Sequence, residues 1–77
     1  MVIKMLAIKT EAGYYKEGDP YMMVDLPRAS VYPPEKAEYV QGIMTGLKQQ
    51  GVASRLVEMH ISLTEWEDIS AWRSSQI

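Results

Sequence analysis

Apolar side chains occupy both odd and even positions at the start of the chain, with Val2, Leu6 and Ile8 on one side of an extended backbone and Ile3, Met5 and Ala7 on the other. A strand patterned this way is covered on both faces, so residues 2–9 are expected in the middle of a sheet. Glu11 to Gly13 and Glu17 to Pro20 are turn-forming clusters on either side of Tyr14, Tyr15 and Lys16. Such spacing suits a long hairpin loop or a short extra strand, and a loop with a strand-like middle is the preferred reading. From Tyr21 to Leu26, Met22, Val24 and Leu26 alternate with Tyr21, Met23 and Asp25. This predicts a second strand, stopped at Pro27 because proline has no donor for a ladder.

The period then changes. Pro33 and Pro34 suit a helix start, where a missing donor costs nothing. Ala37, Val40, Ile43, Met44 and Leu47 recur at the three- and four-residue steps of an amphipathic helix, and Gly51 stands where a left-handed cap is expected. The spacing predicts a helix over residues 34–50. Ala53, Val57, Met59, Ile61 and Leu63 next alternate with Ser54, Leu56, Glu58, His60 and Ser62, predicting a third strand with one apolar and one mostly polar face. Thr64 and Glu67 have the spacing of a capping box. A short second helix is therefore expected from there to about Arg73, with Trp66, Ile69 and Trp72 as its buried stripe.

The predicted architecture is α+β, one small domain over residues 1–77 in the order β-β-α-β-α, with a three-stranded sheet of order 2-1-3. With the first strand antiparallel to both others, the long helix is a right-handed crossover on one face. The short C-terminal helix covers an edge, extends the same layer or packs on a second subunit. A three-stranded sheet has two free edges, and unpaired backbone groups there recruit another strand.

Composition makes the core thin. Val, Ile and Leu fill 17 of the 77 positions, there is no Phe, and six Met, five Tyr and two Trp supply the remaining bulk. A chain this short buries only about 60% of its unfolded surface, and without cysteine neither a disulfide nor a thiolate metal site can help. A homodimer that buries further surface is the favoured solution. The missing cysteine and a first apolar stretch interrupted by Lys4, too short for a signal core or a span, predict a cytoplasmic protein with no membrane contact. The formal net charge of −2 gives no broad field for nucleic acid.

Candidate chemistry is sparse. Glu58 and His60, two apart on a strand, point the same way, and a carboxylate beside an imidazole is the minimal general-base pair. Both residue types equally suit a solvated strand face. One histidine without cysteine does not make a typical zinc site, and no phosphate loop or nucleophile elbow is present, so neither cofactor nor metal is expected. Asp25, before a proline turn, reads as a turn-former. Tyr14, Tyr15 and Lys16 form an aromatic-basic loop able to stack a base or anchor a partner, with Lys4 and Lys9 as the rest of a basic patch. Gly42 and Gly46 lie four apart on the long helix, and the cost of helical glycine suggests close approach of something, either within the chain or from a second subunit. Trp72 is a candidate contact residue. The pattern favours a small non-enzymatic interaction or regulatory protein, probing a still unidentified protein partner or its own copy as a homodimer. A weak nucleic-acid-binding module using the tyrosine loop is the first rival, and a small enzyme using Glu58 and His60 the second.

Overall fold

The computed structural model describes residues 1–76. Strand β1 (Val2–Thr10) turns at Glu11 and Ala12 into β2 (Gly13–Lys16), and β3 (Met22–Val24) follows. Short 3-10 turns at Leu26–Arg28 and Pro34–Lys36 lead to helix α1 (Ala37–Gln49), strand β4 (Ser54–Ser62) and helix α2 (Ile69–Ser75). The α+β class, the central β1 and the long helix all agree with the sequence pattern.

The sheet has four strands, in the order β3-β2-β1-β4, and every neighbouring pair is antiparallel. This corrects the three-stranded 2-1-3 expectation. The stretch preferred as a loop is β2, which separates β3 from β1. The hairpin closes because Gly13 takes φ +133°, a region open to glycine, while the Thr10 hydroxyl donates to the Gly13 carbonyl at 3.0 Å and accepts from the Ala12 N–H at 3.2 Å. With the extra strand inserted, β3 runs the same way as β1 and opposite to β4. The connection through α1 is therefore not a parallel crossover.

Helix α1 starts at Ala37, later than the predicted residue 34 because Pro34–Lys36 form a 3-10 turn, and ends as its sequence predicts. Gly51 has φ +80°, its N–H donates to the Lys48 carbonyl at 3.0 Å, and the Val52 N–H donates to the Leu47 carbonyl at 2.9 Å. These two bonds are the Schellman pattern, which satisfies the last helical carbonyls and directs Val52 against Leu47. Val40 and Leu47 on this helix join Leu6, Ile8, Tyr15 and Tyr32 in the core, with Tyr21, Met23, Ile43, Met44 and Val52 half-buried around them. Beyond β2, the segment at Tyr32 lies along β1, exchanging backbone bonds with Leu6 at 2.7 and 2.8 Å.

The C-terminal helix departs from expectation. Its cap is Asp68, whose side chain accepts from the Ala71 N–H at 2.9 Å, so α2 starts later than a Thr64 capping box requires and Trp66 precedes it. The stripe expected to be buried is exposed: Trp66 by 47%, Ile69 by 58% and Trp72 by 42%. These side chains keep about half of their surface open to water instead of forming a buried stripe.

Candidate functional site

Register along β1 and β4 sorts their side chains into two faces. Opposed residues of an antiparallel pair share a face, so Leu6 and Ile8 lie with Glu58 and Leu56, and Lys4 lies with His60. This is the face α1 covers near Leu6 and Ile8. Glu58 and His60 are beyond that cover, their side chains 52% and 58% exposed. The imidazole Nε2 and the Glu58 carboxylate are in direct contact. That hydrogen bond, together with the charges of His60 and Lys4, holds the Glu58 carboxyl below its usual range. Both groups are largely open to water.

On the opposite face Ile3 pairs with Ile61, Met5 with Met59 and Ala7 with Val57. Helix α1 packs on the other face, against Leu6 and Ile8. Ala7 is fully buried, but Val57, Met59 and Ile61 are only half-buried and Ile3 is 38% exposed. The sequence located the apolar side of β4 correctly, and the structure turns that side away from α1. Glu58 and His60 instead share the helix-bearing face, which the alternation pattern could not reveal.

The other candidates are dispersed. Tyr15 is in the core, its ring centroid 5.4 Å from that of Tyr21, and burial pushes its hydroxyl upward, with smaller contributions from Glu17 and Tyr21. Tyr14 points to the other face, with the Lys9 ammonium 5.9 Å from its ring centre. Tyr14, Tyr15 and Lys16 thus belong to a strand rather than a loop, and one of the two rings is unavailable for base stacking. Asp25 pairs locally with Arg28 at 2.7 Å, an exposed turn contact that lowers the Asp25 carboxyl. Gly42 and Gly46 have nothing within 4 Å of where a Cβ would stand. Among the described residues nothing makes the close approach expected of that pair.

A tyrosine cluster around Glu17 escaped the sequence reading, because its members are 15 and 22 residues away from Glu17 along the chain. The Glu17 carboxylate accepts from Tyr32 at 3.2 Å and also from the Tyr39 hydroxyl, while the Glu17 N–H donates to the Ser30 hydroxyl at 2.8 Å. The loop after β2 is thereby tied to the Tyr32 segment and to α1. Burial first, and then the Glu17 charge, push the Tyr32 hydroxyl up from 10.0 to about 12. A raised folded value means that this contribution to stability is complete below pH 10, where Tyr32 begins to ionise in the unfolded chain, and is lost as pH rises towards 12. Urea midpoints across that window are expected to fall by an amount on the order of 2 kcal/mol in unfolding free energy. In Tyr32→Phe the fall should be clearly smaller; an unchanged fall in that variant would remove Tyr32 as its source.

Among the described residues no three His, Asp or Glu side chains converge as a metal site would need, and no helix is long and apolar enough to cross a membrane. Comparison with known protein families, with characterised proteins and with solved structures finds no match to this chain.

Proposed function

We propose that this chain is a small non-enzymatic interaction protein that works through protein–protein contacts as a homodimer. The observation that carries the reading is the surface it leaves open. The accessible area is 6144 Å², whereas size scaling for 8.8 kDa gives about 4,800 Å². The radius of gyration is 15.8 Å, against about 11.5 Å for a compact domain of this length. The excess area of about 1,300 Å² is larger than one partner's share, about 800 Å², of a standard interface. Exposed large apolar side chains lie on both faces of the β1–β4 arm, at Ile3 and Leu56, and beyond it at Leu63, Ile69 and Trp72. Exposed apolar area on this scale is the usual mark of a contact surface. The setting we propose is the cytoplasm, in keeping with a chain that has no cysteine.

Light scattering over a concentration series tests the reading. A mass near twice 8.8 kDa that holds into the low micromolar range is the expected result. A monomer mass at every concentration would overturn it.

A further inference from the structure

We infer, resting on the homodimer reading, that the subunits join through the free edge of β4, two copies pairing antiparallel with Met59 opposite the partner's Met59. The two edges of the sheet are unlike. On one side β3 has three residues and runs into Asp25 and Pro27, a short strand with a proline close behind it, as protected edges have. On the other, β4 extends for nine residues in unbroken register with β1, with no proline or lysine among them. An edge so long and so little blunted is a template for a further strand.

The direction of the backbone groups restricts how that strand is added. Leu6 exchanges both its bonds with Tyr32, on the side of β1 away from β4. Backbone groups alternate in direction along a strand, so Glu58, which stands opposite Leu6, turns its N–H and C=O to the open edge. Ser54, Leu56, His60 and Ser62 do the same, while Val57, Met59 and Ile61 bond to β1. A second β4 must therefore place even-numbered residues opposite even-numbered ones, leaving registers that differ by two-residue steps. Centred on Glu58, the pairing would oppose two carboxylates; centred on His60, two imidazoles. Centred on Val57, it would set Met59 against the partner's Arg55. Only centring on Met59 puts Glu58 opposite the partner's His60, and His60 opposite the partner's Glu58. On the other face, the same register sets Val57 against the partner's Ile61 and continues the apolar strip of Ile3 and Met5 across the seam. Opposite charges and apolar pairs directly across a ladder are the stabilising combinations, like charges the destabilising one.

Cysteine cross-linking with charge exchange tests the seam. Under mild oxidation Met59→Cys is expected to convert almost wholly to a disulfide-linked dimer, because directly opposed strand residues meet the distance a disulfide needs. Val57→Cys and Ile61→Cys should each cross-link poorly alone and well when mixed. Glu58→Lys should weaken the dimer at least about tenfold, as should His60→Glu, and Glu58→His combined with His60→Glu should restore it. All of these side chains are half-buried or exposed, and far-UV circular dichroism verifies that each variant is folded. If the unaltered chain is dimeric by mass but Met59→Cys does not cross-link and Glu58→Lys leaves the dimer intact, the seam lies elsewhere and the homodimer reading survives. A chain that stays monomeric at all concentrations overturns both.

Discussion

Replacing Ile8 by alanine is expected to cost about 4 kcal/mol of unfolding free energy, enough to leave much of the population unfolded in a domain of marginal stability. Ile8 has no exposed surface and is, with Val40, one of the two largest fully buried side chains. Its neighbours in the core are few: Leu6, Tyr15, Tyr32, Val40 and Leu47. It stands on the central strand, with β4 at Leu56 on one side, so the backbone cannot move in to close the cavity without disturbing the ladder. Ile3, five residues earlier on the same strand and 38% exposed, provides the contrast: Ile3→Ala should cost about 1 kcal/mol or less. Both are to be measured by urea denaturation at one fixed protein concentration, because dimerisation adds a concentration-dependent contribution to stability. A loss under 1 kcal/mol for Ile8→Ala would mean that the core is not where the structure places it.

The second large effect is a backbone one. Gly13→Ala is expected to destabilise by roughly 3 kcal/mol, from two sources that act together. At φ +133° an L-residue is strained, and the added Cβ would stand 2.8 Å from the Val24 carbonyl oxygen, a backbone atom fixed by the β2–β3 ladder. Relief of that clash requires β2 and β3 to separate. Gly42→Ala should go the other way, gaining about 0.5–1 kcal/mol, since Gly42 is helical, exposed and has open space where the methyl would go. Thermal unfolding of the two variants beside the unaltered chain checks both signs. A gain from Gly42→Ala with the dimer intact would also show that this face of α1 is not the seam, consistent with β4 in that role.

The contrast between these two glycines indicates where sequence reasoning reached and where it stopped. Gly51 could be assigned as a cap because a helical period ended just before it, and cap chemistry is local. Gly13 lay in a turn-forming cluster, but its role depends on Val24, eleven residues on, which no local pattern specifies. Gly42 and Gly46 carried a spacing suggestive of close contact, and the space where a Cβ would stand is open at both. Of the candidate site, Glu58 and His60 could be placed on one face of a strand from their separation alone. The Glu17 tyrosine cluster could not be foreseen, because its members meet only when the loop after β2, the Tyr32 segment and α1 have been brought together.

By itself the sequence determined the kinds of several elements: a central strand in β1, an amphipathic α1 with its glycine cap, and an alternating β4. These follow from side-chain period and cap chemistry, which act over a few residues. Tertiary structure alone decided that β2 is a strand between β1 and β3, since a four-residue segment flanked by turns gains its ladder bonds only from neighbours on both sides. It decided also that the apolar side of β4 faces away from α1 and that Trp66, Ile69 and Trp72 stay about half exposed. Periodicity tells which side of an element is apolar; what covers that side depends on strand order, on helix placement and on whether a second chain is present.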